Sequence, residues 1–251
     1  MVSMQTEGIV LKEYNFSEAD KIFNIFTRKN GKVSCIAKGV RKSRSKMRGF
    51  LQPFTYSSLQ LFKGKSIYTV TGGEVINSFP KLKNNLLCYG YANYIAEVLD
   101  NFLPAEDVNE QVFQLVLTVF HSVDRMPISQ LFSFFVLKLL RLTGFLPEFY
   151  CCLSCGKALT GEADFAHFQG GCFCPSCKSN AGNLERINIA VLRFMQGLLS
   201  MDVLTASRLK MSLMDQYFVE ALLGRYLEVV LEKPINSRKF IEQLRQNGER
   251  K

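Results

Sequence analysis

Six of the eight cysteines fall in one stretch, Cys151 to Cys177, which reads CCLSCGKALTGEADFAHFQGGCFCPSC. It contains two C-x-x-C pairs, Cys152/Cys155 and Cys174/Cys177, with eighteen residues between them. Each pair can place two thiolates on one tight turn. Two such turns complete a tetrahedral set that Zn2+ fills at about 2.3 Å per sulfur, and the spacing lies within the range of zinc sites. Gly156 after the first pair and Pro175 inside the second both help the backbone turn. A four-sulfur shell leaves no position for water, so a metal held there is structural. The competing reading is a disulfide framework, which the lack of an export signal disfavours. The ligand register also has neighbours: Cys151 and Cys172 are spare thiols beside the pairs, and His167 lies between them.

A second chemistry is purely electrostatic. The segment CIAKGVRKSRSKMRGF, Cys35 to Phe50, carries Lys38, Arg41, Lys42, Arg44, Lys46 and Arg48 and no acid. Cations in such a run can line a phosphate backbone, and each neutralised phosphate releases condensed counterions, so binding weakens as salt rises. Ser43, Ser45 and Gly39 add flexibility and donors to phosphate oxygens. The plain alternative is a solvated charge run. Phe23, Phe26, Phe50, Phe54, Tyr56 and Tyr68 flank it and can either stack unpaired bases or fill a core, since alternation turns half of a strand inward.

Other chemistry is weakly signalled. The chain has two histidines, His121 and His167, and no G-x-S-x-G elbow. GKS at Gly64 to Ser66 lacks the upstream glycine and the helix of a phosphate loop. No H-E-x-x-H and no acidic cluster of a two-metal nuclease is present, and Glu18 and Asp20 read as solvated turn residues. The chain is therefore expected not to be an enzyme. A metal-dependent nuclease and a zinc-ribbon DNA- or RNA-binding regulatory factor remain as rival readings.

The elements that must position these groups change period along the chain. GIVLK (Gly8 to Lys12), KIFNIFT (Lys21 to Thr27), KVSCIAKG (Lys32 to Gly39), FTYSSLQLF (Phe54 to Phe62), SIYTV and GEVINSF read as five or six strands of a small barrel, with a tight turn at Asn30-Gly31. The basic segment falls between two strands and is a loop. After Pro80 helical spacing takes over: Leu86 to Phe102, Val108 to Val123, and Ile128 to Gly144, then, beyond the cysteines, about Asn188 to Met201, Ser212 to Glu232 and a short helix capped by Ser237. The fold class is thus α+β and multidomain, a barrel followed by an all-α body carrying a four-cysteine zinc insert. The expected division is 1–80 (nucleic-acid-binding barrel), 81–150 (helical), 151–183 (zinc insert) and 184–251 (C-terminal helices packing with the helical domain).

Charge and hydropathy place the chain. The 251 residues carry a net charge of +9. Met1 to Lys83 holds fifteen Lys/Arg against five Asp/Glu, and the remainder sixteen against seventeen, so the excess sits in the first third and calls for a polyanionic partner there. No run of eighteen apolar residues exists, because Lys138 and Arg141 interrupt the most apolar stretch. No membrane partner is expected, and a cytoplasmic location is.

These parts together resemble the RecO family of bacterial recombination mediators over essentially the full length. The resemblance is carried by TEGIVLKEYNFSEADKIFNIFT, GKVSCIAKGVRKSRSK, LQPFTYSSLQLF, the C-x-x-C … GG-x-x-C-x-x-C insert and NSRKFI. The insert is similar to the metal-binding branch of that family. The resemblance implies an OB-fold N-terminal domain, binding of single- and double-stranded DNA, and annealing of complementary strands. It also implies partnership with RecR and single-strand-binding protein in loading recombinase onto coated strands. It carries DNA binding onto Lys38, Arg41, Lys42, Arg44, Lys46 and Arg48, zinc onto Cys152, Cys155, Cys174 and Cys177, and a place at the bacterial nucleoid.

Overall fold

A computed structural model describes residues 3–177 and 184–248, with side chains through Arg245 at the C-terminal end. The chain divides into two compact units, residues 1–114 with 239–251, and residues 115–238.

In the first unit five strands close into a barrel: β1 (Ser3–Asn15), β2 (Lys21–Thr27), β3 (Gly31–Ala37), β4 (Tyr56–Lys63) and β5 (Tyr68–Asn77). Their order around the barrel is β1-β2-β3-β5-β4, with β1 closing onto β4. Only β3 and β5 run parallel, pairing Cys35 with Tyr68. This is the five-stranded OB arrangement. Inward residues of every strand make the core: Val10, Phe23, Ile25, Val33, Cys35, Leu59, Leu61, Tyr68 and Val70. Desolvation there pushes the Cys35 thiol up to about 12.

Two strand expectations change. SIYTV and GEVINSF are one strand, β5, which passes through Gly72 and Gly73. A side chain at residue 73 would meet the Ser58 carbonyl oxygen at 2.6 Å, so only glycine lets the two backbones approach this closely. The first strand is longer than Gly8 to Lys12, because β1 pairs with both β2 and β4.

α1 (Pro80–Lys83) and α2 (Leu86–Phe102) follow, the latter capped by Asn85, which accepts from the Cys88 amide at 2.9 Å. Acids of this helical part are taken up by barrel cations. Asp100 holds Lys12 at 3.2 Å and Lys32 at 3.1 Å; Glu106 holds Lys63 at 3.0 Å; Glu110 and Glu7 share Arg28, at 2.8 and 2.9 Å. Burial pushes the Asp100 carboxyl up, but the two lysines outweigh it and hold it below its ordinary value. The C-terminal helix α8 (Asn236–Gly248) returns to this unit. Its Phe240, Ile241 and Leu244 lie against Gly90 of α2, within 3.7 Å of where a side chain there would begin. It is thirteen residues long and starts at Asn236, so it is neither as short nor as late as a Ser237 cap implies.

In the second unit α4 (Ile128–Thr143) is buried on nearly every side, packing on α5 (Ile189–Ser200) and α7 (Leu213–Leu231). α3 (Glu110–His121) leads into it, and the short α6 (Val203–Ala206) lies between α5 and α7. The polar residues of α4 are matched. Ser129 donates to Gln216 at 3.0 Å, Gln130 to the Ala206 carbonyl at 2.9 Å, and Lys138 to the Leu199 carbonyl, in the last turn of α5, at 2.7 Å. Gly144 closes α4 in a left-handed conformation (φ 80°). Among the described residues no helix is long and apolar enough to cross a membrane. A small sheet, β6 (Ala163–Ala166), β7 (Gly171–Phe173) and β8 (Leu184–Ile187), carries the cysteine-rich segment; β8 extends it past residue 183.

Candidate nucleic-acid interface and metal centre

The basic loop joins β3 to β4 and contains one 3-10 turn, Lys46–Arg48. Its apolar residues anchor it: Val40, Phe50 and Leu51 join the barrel core. Polar ties fix its path. The Asp20 carboxylate accepts the Gly39 amide at 2.8 Å, where φ is +68°, and the Arg41 amide donates to the Ala19 carbonyl at 3.0 Å. Asp20 is therefore a structural cap of this loop, beyond the solvated turn residue its position suggests.

All six cations are exposed. None forms an ion pair among the described residues; the acids at this end of the barrel are engaged elsewhere, Glu13 with Lys21 at 2.6 Å and Asp20 with the Gly39 amide. The six are not equivalent. Arg48 turns back to donate to the Val40 carbonyl at 3.2 Å and to the Arg41 carbonyl, so it braces the loop. Arg41 donates from its guanidinium to the Ser17 carbonyl at 2.8 Å. Lys38, Lys42, Arg44 and Lys46 extend from the surface. A groove of about 520 Å3 opens beside the loop, with Arg41, Arg48, Gln52 and the Lys21–Glu13 ion pair in its walls.

The flanking aromatics belong to the interior. Phe23, Phe26, Phe50, Phe54 and Tyr68 are buried. Phe26 packs edge-on against Phe113 at 5.4 Å. Tyr56 is half-buried and donates to Glu7, which lowers the Glu7 carboxyl; burial, then the Glu7 charge, pushes the Tyr56 hydroxyl up to about 12. None of the six offers a free face for stacking in the way the sequence allows. Among the described residues of the barrel the exposed aromatics are instead Tyr14 and Phe16, which the strand pattern did not single out.

In the second unit the sulfurs of Cys152, Cys155, Cys174 and Cys177 lie within 4.8 Å of one another. Cys155 and Cys174 sulfurs are 3.9 Å apart, too far for a disulfide and close to the edge of about 3.8 Å of a tetrahedron drawn at 2.3 Å around zinc. The turns are built as the spacing requires. The Gly156 amide closes on the Cys152 carbonyl at 2.9 Å with φ +68°, and the Cys177 amide on the Cys174 carbonyl at 2.9 Å. The Cys174 amide donates to the Cys152 sulfur at 3.4 Å. Burial raises the Cys152 thiol, but amides of Cys174, Cys155 and Ser154 outweigh it and draw it down to about 6, while bonding to the Cys174 and Cys155 thiols pushes Cys177 up to about 11. Four thiols at these separations, with amides aimed at one of them, suit a thiophilic cation.

The neighbouring candidates stand outside this group. Cys172 is buried on β7, and burial, then nearby Glu148 and Asp164, pushes its thiol up to about 12. His167 is engaged with Glu185 at 3.0 Å and stands edge-on to Phe165, with Arg225 on the same carboxylate. Burial raises Glu185, and His167 and Arg225 together lower it further.

Residues 1–79 match the family model for the recombination protein O N terminal, and residues 83–239 match that for the recombination protein O C terminal. The chain belongs to the RecO family. Curated relatives named DNA repair protein RecO align along nearly their whole length. That of Symbiobacterium thermophilum is 33% identical over 251 residues, covering 98% of this chain and 99% of the relative. Those of Pelotomaculum thermopropionicum and Dehalococcoides mccartyi are each 31% identical, covering 96% of this chain and 94% and 95% of themselves. Within the RecO family, the four-cysteine cluster is consistent with its metal-binding branch.

Proposed function

We propose that this protein is a bacterial cytoplasmic mediator of DNA repair and recombination that works without bond chemistry. Lys38, Arg41, Lys42, Arg44 and Lys46 hold sugar–phosphate backbones of single- and double-stranded DNA without regard to sequence, and Arg48 keeps their loop in shape. Screening the repulsion between two backbones while leaving bases free to pair is sufficient for annealing. RecR and single-strand-binding protein are the expected protein partners, through which recombinase is loaded on coated strands. Cys152, Cys155, Cys174 and Cys177 are proposed to hold one Zn2+, which would supply folding energy to the β6–β8 sheet and no reactive position.

The observation that carries this reading is the acid-free basic loop, whose six cations are exposed on an OB barrel and form no ion pair among the described residues. The test is annealing of complementary strands coated with single-strand-binding protein, without nucleotide. Acceleration that fades as salt rises is expected. An unchanged rate, or strand cleavage on adding Mg2+, would overturn the reading.

A further inference from the structure

The barrel has an apolar row on its outer face that its core does not explain. In the β1–β2–β3 register Tyr14 lies opposite Ile22, and Ile22 opposite Ile36. Side chains of such partners share one face, and here that face is outward, because Phe23 and Cys35 on the alternate positions are buried inside. Tyr14 is 48% exposed, and Phe16, two residues on in the β1–β2 turn, is 61% exposed.

The turn that carries Phe16 is fixed to the basic loop. The Phe16 amide donates to the Asp20 carbonyl at 3.2 Å, closing the turn. The Arg41 guanidinium then reaches the Ser17 carbonyl at 2.8 Å, and the Arg41 amide the Ala19 carbonyl at 3.0 Å. Two exposed aromatic rings therefore sit on a segment tied directly to a chain of unpaired cations. Aromatic faces beside a phosphate-binding track suit unpaired bases, which stack on rings regardless of sequence, whereas paired bases in a duplex keep their faces covered.

We infer that Tyr14 and Phe16, with Ile22 and Ile36 beside them, form a stacking platform for the bases of a single strand whose phosphates lie on the basic loop. This rests on the DNA-binding reading above and adds to it a source of preference for unpaired over paired strands. Phosphate contacts set the salt dependence; the platform sets which strand is held longest.

The chain has no tryptophan, so Phe16→Trp introduces a single reporter in the full-length protein. Oligothymidylate carrying a fluorescent label reports binding by anisotropy, and a blunt duplex of the same length serves as comparison. The emission of the introduced indole should be quenched by the single strand and unaffected by the duplex. A Tyr14→Ala/Phe16→Ala variant should lose on the order of tenfold in single-strand affinity, with duplex affinity and salt slope unchanged. Circular dichroism of the variant, whose changes are both at exposed positions, verifies folding. Emission unchanged while anisotropy shows the strand bound, or equal quenching by duplex, overturns the platform and leaves the basic loop standing. A parent protein that binds neither DNA overturns both.

Discussion

The basic loop and the cysteine-rich segment are both irregular chain held at the edge of a sheet, yet they keep their shape by different means. The loop buries Val40, Phe50 and Leu51 in a barrel that already has a core, and its polar ties to Asp20, Ala19 and Arg48 are internal to the protein. The cysteine turns have a small sheet beneath them and bring four thiols to one point. One segment has its shape before the ligand proposed for it arrives; the other is proposed to acquire its shape with its ligand. The difference teaches that exposed charge can be left unpaired where a core supplies the frame, whereas converging thiolates require a cation to be stable together.

The largest break in this contrast is expected from Cys174→Ser/Cys177→Ser. Bound zinc, measured by atomic absorption, should fall from one per chain to none. Hydrogen exchange should show the β6–β8 sheet losing several kcal/mol of protection while barrel amides stay protected. A variant that keeps its sheet intact without metal would remove the contrast. Next in size is Arg41→Glu/Lys42→Glu/Arg44→Glu/Lys46→Glu. DNA affinity near 0.1 M salt should drop on the order of a hundredfold. The melting temperature should hardly move, because exposed substitutions of this kind usually cost within about 0.5 kcal/mol. Unchanged affinity would reduce the loop to a solvated charge run. The smallest effect is expected from Asp20→Ala, which removes the acceptor of the Gly39 amide. It should cost about 1 kcal/mol, speed exchange at that amide, and weaken DNA binding a few-fold. No change at Gly39 would show that the loop is framed by its apolar anchors alone.

What the sequence discloses follows from which interactions leave a pattern. Lys21–Thr27 is read to the residue because its inward Phe23 and Ile25 alternate cleanly and its ends are turns. The four cysteines are legible because spacing on a tight turn is itself the geometry. β5 is read as two strands because Gly72 and Gly73 break the alternation, and their reason is a close approach of β4 that no local signal conveys. Arg48 looks like any other cation of its run, since its partners are backbone carbonyls with no side-chain identity. Tyr14 and Phe16 are passed over for the same reason in reverse: buried and exposed aromatics are written with the same letters, and only register across three strands tells them apart.

The strip formed by Phe240, Ile241 and Leu244 on Gly90 ties the barrel unit to residues that leave the ribosome only after the whole of 115–238 has been made. While translation proceeds, the α2 surface around Gly90 must wait uncovered, so the nascent chain passes through a stage in which its OB barrel can close but its helical support is incomplete. Stalling synthesis just before residue 239 should therefore yield a unit that a protease opens at α2.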